Sequence, residues 1–402
     1  MTATQGPLHG FRVLELGNMY AAPTAGRMLR DFGAEVIKVE EPAVGDTARQ
    51  WIPQQDGLAL GFARLNSGKR SVGIDLRSSA GRELVLALVE HCDVVIESFR
   101  PGRMEEWGLS HDELSTRNAG VVLARVSGFG QTGPYRERPG FGTVAEAVSG
   151  YAFMNGWPHT PPTSPPFGFA DSIAGISTAF GVAMALLRRE RSGRGAEVDI
   201  ALYEPLMFIL GDAVLRFSSN GEIMQRQGNT TGAASPRGTY QTQDGRWLCI
   251  AASSQSIAMR LFDAIGRPEL KTDERFATGK ARLANNDQLQ GIVTAFVAAR
   301  PRDEVLAIFE KFEVVAAPIN DASDVVADPH FRERTLRPLL QSTLGDVVMP
   351  GPVVHLDGYP GPAYVGVPGL GEHTDAVLSG MLGLDPARIA DLRSGGIVGG
   401  GE

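Results

Sequence analysis

Asp171 has the setting that best fits chemistry in this chain of 402 residues. It lies in Gly-Phe-Ala-Asp-Ser (168–172), between a proline-rich stretch (159–166) and an apolar segment (173–187). An Asp before an apolar periodic run is favoured as a helix N-cap, where its carboxylate accepts unpaired backbone N–H groups. The same position suits a catalytic carboxylate, because a helix N-terminus keeps it ionised and offers N–H donors to an oxyanion. The local pattern leaves both roles open.

Positively charged side chains follow several predicted strands, although the net charge of the protein is −8. Ligands of open parallel sheets bind at the carboxyl ends of the strands, so these cations indicate an anionic ligand there. The glycine-rich segment 127–135 follows a predicted strand and can bring backbone N–H groups close to a ligand. Each cation taken alone is as typical of solvated surface charge. The residues are Arg64, Lys69, Arg70, Arg77, Arg100, Arg103, Arg136 and Arg138.

Several common catalytic and binding motifs are absent from the sequence. Gly68-Lys69 resembles the end of a P-loop, but Ala63 stands at its required glycine and Arg70 at its Ser/Thr position. The first predicted strand is followed by a single glycine rather than a dinucleotide fingerprint. There is no G-x-S-x-G or H-E-x-x-H motif. The seven histidines lack ligand spacing and the two cysteines are too few, so no metal site is predicted.

The elements that must position Asp171 form a repeating strand–helix pattern. Apolar strands at 11–16 and 34–40 flank a helical segment at 21–32, which is a β-α-β unit. Further strands are predicted at 71–76, 92–97, 121–126 and 198–202, with helices at 81–91 and 172–191. The pattern predicts an α/β fold with an open, doubly wound parallel sheet of the Rossmann-like type.

The pattern of predicted strands and helices changes after residue 220. Segments 238–243 and 247–252 read as a hairpin, and helical patterns follow at 255–266, 280–299 and 301–312. A proline- and glycine-rich stretch then precedes a closing helix near 372–382. We therefore predict a large domain over 1–220, a smaller α+β domain over 221–327, and a return segment, 328–402, that completes the large domain.

Composition narrows the class of protein further. The acidic net charge argues against non-specific nucleic-acid binding. Residues 1–10 lack the basic and apolar regions of a secretory signal, and no apolar run approaches the ~20 residues of a membrane span. We predict a cytoplasmic protein with neither nucleic acid nor membrane as a partner.

Eight segments of the chain occur in the order found in one known family. They are 8–40, 45–46, 66–75, 93–102, 128–135, the segment around Asp171, 192–198 and 370–374. Together they resemble the class III CoA-transferases (CaiB/BaiF type), which include formyl-CoA:oxalate CoA-transferases and are related to α-methylacyl-CoA racemases. The resemblance covers nearly the whole chain.

The resemblance implies that Asp171 is a nucleophile. In the family, CoA moves from an acyl-CoA to a free carboxylic acid through an aspartyl anhydride and an aspartyl-CoA thioester. Coenzyme A and acyl-CoA then enter as substrates, no cofactor is permanently bound and no metal is needed. The resemblance also implies a homodimer of two interlocked chains.

The resemblance also implies a set of CoA contacts. At three positions this chain departs from basic residues of the family: Glu41, Glu106 and Pro139. Neighbouring Lys38, Arg103 and Arg138 are candidates to replace those contacts. The implied CoA-binding residues are Met19, Tyr20, Ala21, Ile74, Arg77, Ser98, Phe99, Arg100, Arg103 and Arg138.

Two alternatives to transfer remain. A racemase needs a base to move an α-proton, and the racemases of the family carry Gly-His-Asp where this chain has Gly140-Phe141-Gly142. Phe141 cannot transfer protons, and His159 lies outside that motif, which favours transferase over racemase. The other alternative is a CoA-ester-binding protein without catalysis, against which the intact segment around Asp171 argues.

Substrate identity is only partly indicated. Oxalate-type members carry a run of glycines over the active site, and 228–238 has no such run, so oxalate is not expected. An apolar pocket would favour a bulkier acyl group, branched or dicarboxylic. Its candidate residues are Tyr20, Trp51, Phe141, Tyr151 and Met154.

Overall fold

The computed structural model describes residues 5–400. Its contacts divide the chain into two compact units. The first unit contains residues 5–151, 164–214 and 329–400, and the second contains residues 152–163 and 215–328.

Residues 5–400 contain fifteen strands, most of them short. In chain order these are β1 (Arg12–Glu15), β2 (Glu35–Glu40), β3 (Gln54–Gln55), β4 (Leu58–Ala59), β5 (Arg70–Ile74), β6 (Val94–Glu97), β7 (Val122–Ser127), β8 (Ala196–Ala201), β9 (Arg237–Gln241), β10 (Trp247–Ala251), β11 (Ala316–Pro318), β12 (Leu336–Leu340), β13 (Val348–Pro350), β14 (Tyr364–Val365) and β15 (Val398–Gly399).

The same described residues form eighteen α-helices and two short 3₁₀ turns at Thr47–Gln50 and Pro268–Lys271. The helices are α1 (Ala21–Asp31), α2 (Leu60–Asn66), α3 (Ser79–Val89), α4 (Arg103–Glu106), α5 (His111–Arg117), α6 (Gly142–Val148), α7 (Tyr151–Met154), α8 (Phe169–Ser192), α9 (Glu204–Ile209), α10 (Ala213–Asn220), α11 (Gln255–Ala264), α12 (Gly279–Ala284), α13 (Asn286–Ala298), α14 (Arg302–Lys311), α15 (Ala322–Ala327), α16 (Pro329–Arg334), α17 (Thr374–Leu382) and α18 (Pro386–Ser394).

A seven-stranded sheet organises the first unit. Its order is β15-β5-β2-β1-β6-β7-β8; all neighbouring strands pair in parallel except β15, which pairs antiparallel with β5. Without β15 the strands run 3-2-1-4-5-6 in chain order, the arrangement of a doubly wound sheet. The prediction of an α/β fold built on a parallel-dominated sheet is confirmed, and the predicted strands lie within two residues of those observed.

Both faces of this sheet are covered, which explains the nearly continuous apolar strands. Side chains alternate between faces along each strand, so Val13 points to one helical layer and Leu14 to the other. Helices α1 and α8 pack together on the face that contains Val13. Helices α3, α5, α17 and α18 bury their apolar residues on the opposite face.

Helix α8 is the longest element of the first unit and packs on α1, β7 and β8. Its C-cap is Gly193, whose φ of 68° is the left-handed conformation that glycine adopts easily. Within the described residues, α8 alone is long and apolar enough to cross a membrane by length and composition. This differs from the expectation that no apolar run approaches a membrane span, because α8 has large apolar residues on its exposed side (Ile176, Phe180, Met184 and Leu187) as well as small buried ones.

The return segment closes the first unit. Strands β12, β13 and β14 form a small sheet whose apolar side, including Leu339 and Tyr364, packs with Ala63 of α2. The Tyr364 hydroxyl donates to Asp31 Oδ1 of α1 at 2.7 Å. At the start of α17, the Thr374 hydroxyl oxygen accepts the N–H of Gly73 at 3.0 Å, which fastens this segment to β5.

The second unit is a smaller α+β body. The predicted hairpin is present as β9 and β10, extended by β11 into a three-stranded sheet that packs on α11, α13 and α14. The predicted helix over 280–299 is interrupted at Asn285, whose side chain donates to the carbonyl of Ala281 at 3.0 Å and ends α12.

Residues 152–163 differ from the predicted domain boundaries, because they belong to the second unit rather than the large domain. The reason is a set of hydrogen bonds made far along the chain. The Arg226 guanidinium donates to the carbonyl of Phe153 at 2.7 Å, and the N–H of Gly228 donates to the carbonyl of Gly156 at 2.9 Å.

Candidate active site

A cleft of about 570 Å³ opens in the first unit where the loops after β1 and β6 meet. These two strands are neighbours at the point where the strand order reverses, so their following loops diverge and leave a crevice. The cleft is lined by residues 18–21 after β1, 98–101 after β6, 126–128 at the end of β7, 138–143 before and at the start of α6, and 165–168 and Asp171 at the start of α8.

Asp171 lies on this cleft, but it is not the N-cap of α8. The helix begins at Phe169, and the capping position is Gly168, which has no side chain. Asp171 is therefore the third residue of the helix, with its carboxylate against the N-terminal end of α6. A β-carbon at Gly142 would lie only 2.1 Å from Asp171 Oδ2, so the absence of a side chain there makes room for the carboxylate.

Glu146, one turn further along α6, takes the capping role that the sequence suggested for Asp171. Its side chain is 2% exposed, and Oε1 accepts the N–H of Ala170 at 3.4 Å. Burial raises the pKa of the Glu146 carboxyl above its ordinary value, while the N–H groups of Ala170 and Phe169 oppose the rise. Glu146 also lines the cleft beside Asp171.

The pKa of Asp171 is raised to about 6 by burial and, to a smaller extent, by the negative charge of Glu146. Its own backbone N–H opposes the rise. With this pKa the Asp171 carboxylate is mostly ionised at pH 7, but burial makes it more basic than an ordinary aspartate.

The loop after β1 is fixed by a group of buried charged residues. Met19 has a φ of 69°, a left-handed conformation that is uncommon outside glycine. Its N–H donates to both Asp46 oxygens, at 3.0 and 3.1 Å. Asp46 in turn pairs with Lys38 Nζ at 2.8 Å, and Lys38 also contacts Glu15 Oε1 at 3.0 Å. These three charged side chains are fully buried.

The loop after β6 rests on a second buried ion pair. Glu97 at the end of β6 accepts the N–H of Phe99 at 2.6 Å through one oxygen and Arg125 Nε at 2.8 Å through the other. Arg125 stands opposite Glu97 on β7. Burial raises the pKa of Glu97 to about 7, against the opposing effect of Arg125. Charged residues at the strand ends thus fix the loops that carry Ser98–Arg100.

Tyr20 forms a wall of the cleft near the start of α8. A β-carbon at Gly168 would lie 3.0 to 3.2 Å from atoms of the Tyr20 ring, so the ring packs directly over the start of α8. Arg64 Nη2 donates to the Tyr20 hydroxyl at 2.5 Å and fixes the ring. The Trp51 ring lies beside it, with the centroids 5.9 Å apart.

A smaller recess of about 200 Å³ adjoins the cleft and shares Asn18 and Phe99 with it. It lies at the ends of β2 and β5, and Ile74 and Arg77 both line it. Arg77 pairs with Asp75 at 2.8 Å and with Glu41 at 2.9 Å. The recess and the cleft, which share Asn18 and Phe99, are together called the track.

The structure brings most of the predicted site residues to this track. Met19, Tyr20, Ala21, Ser98, Phe99, Arg100, Arg138 and Asp171 line the main cleft, and Ile74 and Arg77 line the recess. Arg103 lines neither cavity; it starts α4, pairs with Glu106 at 2.7 Å and lies over the Trp107 ring.

Two lysines suggested by the sequence cannot reach a ligand. The proposal that Lys38 replaces a missing CoA contact is wrong, because its ammonium is fully buried between Glu15 and Asp46. Lys69 is equally buried and pairs with the second oxygen of Glu15 at 2.7 Å. Burial and the charge of Lys38 lower the pKa of Lys69 to about 8, which the Glu15 carboxylate opposes.

Only some of the residues predicted for an apolar pocket line the cleft. Trp51 and Phe141 line the cleft with Tyr20, whereas Tyr151 packs on Phe169, with ring centroids 4.9 Å apart. Met154 lies in α7 and does not line either cavity among the described residues. Sequence reasoning missed Glu146 and Asp46, which look like ordinary surface carboxylates in their local contexts.

Comparison with known proteins identifies the family. The profile of CoA-transferase family III matches residues 8–374. The chain belongs to CoA-transferase family III. It is 40% identical over 390 residues to the succinyl-CoA–D-citramalate CoA-transferase of Chloroflexus aurantiacus, covering 96% of this chain and 97% of that protein. The beta subunit of the succinyl-CoA–L-malate CoA-transferase of the same organism is 38% identical over 98% of both chains.

The fold of family III is shared as well. A CAIB/BAIF family protein from Brucella suis superimposes with a TM-score of 0.84 at 33% sequence identity, over 94% of this chain and 100% of that chain. Enzymes of family III act on CoA thioesters as substrates rather than on a permanently bound cofactor. Among residues 5–400 no cluster of His, Cys, Asp and Glu is arranged to hold a metal ion.

Proposed function

We propose that this family III enzyme transfers CoA from an acyl-CoA to a free dicarboxylic acid, with Asp171 as the nucleophile. The observation that carries the proposal is the Asp171 carboxylate in the main cleft, next to a recess that Ile74 and Arg77 line. The names of its two similar relatives pair succinyl-CoA with citramalate and with malate, which supports a dicarboxylic acceptor.

The chemistry needs no net proton transfer. An Asp171 oxygen attacks the thioester carbonyl, the C–S bond breaks, and CoA thiolate leaves as the aspartyl anhydride forms. The thiolate attacks the Asp171 carbonyl carbon, and the donor acid leaves as a carboxylate. The acceptor carboxylate attacks the resulting aspartyl-CoA thioester and again expels thiolate. Attack of thiolate on the acceptor's acyl carbon releases the new acyl-CoA and restores Asp171.

The residues of the track provide binding and alignment for these steps. Ile74 and Arg77 suit the nucleotide end of CoA, with an apolar surface and a cation for phosphate. Arg100 and Arg138 add positive charge in the main cleft, and Met19–Ala21 with Ser98 and Phe99 form its walls. Apolar Tyr20, Trp51 and Phe141 help exclude water, which would hydrolyse an anhydride. The predicted cytoplasmic location stays a prediction.

Transfer should be seen directly with succinyl-CoA and a panel of acids in deuterated water. We expect citramalyl-CoA and malyl-CoA to accumulate, faster than butyryl-CoA from butyrate as a control, without deuterium at the α-carbon. The reason is that the cleft supplies a nucleophile and no second proton-transfer group at Phe141. Mass spectrometry of the CoA esters measures both outcomes.

Incubation of the enzyme with a 2-methylacyl-CoA in deuterated water tests the racemase alternative. Rapid deuterium incorporation at its α-carbon, together with no CoA transfer to any acid, would replace transfer by racemisation. Tight binding of acyl-CoA with neither reaction would support the non-catalytic alternative instead.

We also propose that the active form is an interlocked homodimer. One face of α8 leaves Ile176, Phe180, Met184 and Leu187 exposed at helical spacing, and Phe180 is 66% exposed. Exposed apolar surface of this kind is typical of a protein interface. A second chain that covers it would account for an apolar helix outside any membrane.

Light scattering after gel filtration at low micromolar concentration should therefore give twice the mass of one chain. The interface should bury well over the ~2,000 Å² upper end of standard-size interfaces. Phe180→Glu should reduce the dimer fraction, because it places a charge in that interface. A wild-type protein that is monomeric and fully active would contradict the proposal.

A further inference from the structure

Glu146 has a position that neither the transfer chemistry nor the CoA track explains. It is a nearly fully buried carboxylate that lines the same cleft as Asp171, and within the described residues no cation is among the groups that act on it. Buried carboxylates without a cation are costly and persist where they have a specific partner. The partner here is the N-terminal backbone of α8.

Gly142 and Glu146 lie one turn apart on α6 and face the start of α8 together. Gly142 supplies the space that Asp171 Oδ2 occupies. Glu146 supplies the acceptor for the N–H of Ala170, at 3.4 Å, one residue before the nucleophile. An aspartate in the first turn of a helix is otherwise drawn toward these same unpaired N–H groups.

We propose that Glu146 is a positioning residue, which caps α8 from outside so that the Asp171 carboxylate stays free to attack the thioester. This inference rests on the proposed nucleophilic role of Asp171. Glu146 satisfies the helix terminus with its own charge, whereas the glycine at the N-cap leaves that terminus open. The conflict between cap and nucleophile is thus resolved by two different residues.

The proposal also makes Glu146 an electrostatic neighbour of the nucleophile. A negative charge beside a carboxyl group disfavours its ionisation, so the charge of Glu146 keeps the pKa of Asp171 higher. The other titratable groups around the pair are Tyr20 before α1, Arg100 after β6, Arg138 before α6 and Tyr151 on α7. The negative charge of Glu146 raises the pKa of Asp171, in addition to the larger effect of burial.

Glu146→Gln and Glu146→Ala test the two consequences separately. Glutamine keeps an oxygen for the N–H of Ala170 but removes the charge. We expect its anhydride formation, trapped as a hydroxamate, to stay within about tenfold of wild type on the pH plateau, with the acid limb moved to lower pH. Alanine removes the acceptor, so the plateau rate should fall by about 100-fold, the effect of a nucleophile misplaced by about 1 Å.

The control is Glu113→Gln, which neutralises a carboxylate that caps α5 and lines neither cavity. It should leave both the acid limb and the plateau unchanged, and all variants should bind CoA as wild type does. A purely structural role for Glu146 would lower the yield or melting temperature without moving the acid limb of Glu146→Gln. An unmoved limb in that variant, or equal plateau rates in the alanine and glutamine variants, would overturn the proposal.

The same assays separate this inference from the proposed function. Asp171→Asn tested beside them must be inactive for either to stand. If Asp171→Asn is inactive while the Glu146 variants match wild type, only the positioning role fails. If Asp171→Asn retains wild-type turnover, the nucleophile assignment itself fails.

Discussion

Asp171→Asn should lower the rate of CoA transfer by about 10⁴-fold or more while the protein folds and binds CoA normally. The amide lacks the anionic oxygen that must attack the thioester. The helix should survive, because Asp171 is its third residue and the terminus is capped by Glu146. Steady-state transfer from succinyl-CoA measures the rate, and thermal melting with CoA titration measures the rest.

Asp171→Ser is a second variant with the same expectation, since it also keeps a small polar side chain in the first turn. Wild type incubated with acyl-CoA and hydroxylamine should form a hydroxamate at residue 171, which peptide mass spectrometry locates. Neither variant should form it. Near-wild-type turnover in Asp171→Asn would remove the nucleophile assignment and the covalent mechanism with it.

The pH profile of the wild-type half-reaction follows from the raised pKa of Asp171. The carboxylate is the reactive form, so the rate of anhydride formation should fall as pH drops through about 6. An ordinary exposed aspartate would hold its rate to near pH 4. The rate should therefore begin to fall at a higher pH than for an ordinary aspartate, because burial and the negative charge of Glu146 both raise the pKa of Asp171.

The framework of the fold was readable from the sequence because its signals are local. Six strands of the large sheet were predicted to within two residues, whereas the two-residue β15 was not, and each end of α1 and α8 lies within three residues of the expected one. The prediction of Met19–Ala21 and Ser98–Arg100 as site residues rests on the resemblance to the family.

The supporting carboxylates could not be read in the same way, because each acts on a backbone group distant in sequence. Asp46 binds the N–H of Met19, 27 residues before it. Glu146 binds that of Ala170, 24 residues after it. Nothing in the local sequence distinguishes these carboxylates from solvated ones. The burial of Lys38 escaped prediction for the same reason, since a lysine in a strand reads as exposed unless its partners are known.

These contacts share one physical logic. Three segments border the cleft with backbone N–H groups that have no partner in a helix or sheet, and each receives a buried carboxylate: Asp46 under Met19, Glu97 under Phe99 and Glu146 under Ala170. Asp46 and Glu97 are neutralised in turn by Lys38 and Arg125. Glu146 has no such cation, and it lines the cleft beside Asp171. Its negative charge adds to the larger effect of burial in raising the pKa of Asp171.

Lys38→Met should destabilise the protein by about 3–5 kcal/mol, the usual effect of removing one partner from a buried ion pair. The methionine fits the volume, but Glu15 and Asp46 would lose the ammonium that lies within 3.0 Å of both. Burial disfavours the charge of Lys38, yet those carboxylates hold its pKa above the ordinary value, so the ammonium is present in the folded protein. The first unfolding transition in urea measures the loss in the free energy of unfolding.

The same variant should raise the KM for acyl-CoA, because Asp46 without Lys38 no longer holds the Met19 N–H and its left-handed backbone in place. Arg117→Met is the matched control: it removes a cation from two exposed carboxylates, Glu83 and Glu90, and should change stability by no more than about 1 kcal/mol with KM unchanged. Equal stability losses in the two variants would mean that the Lys38 pair is no more than surface charge. A large loss of stability in Lys38→Met with an unchanged KM would mean that the ion pair stabilises the fold but has no role in binding acyl-CoA.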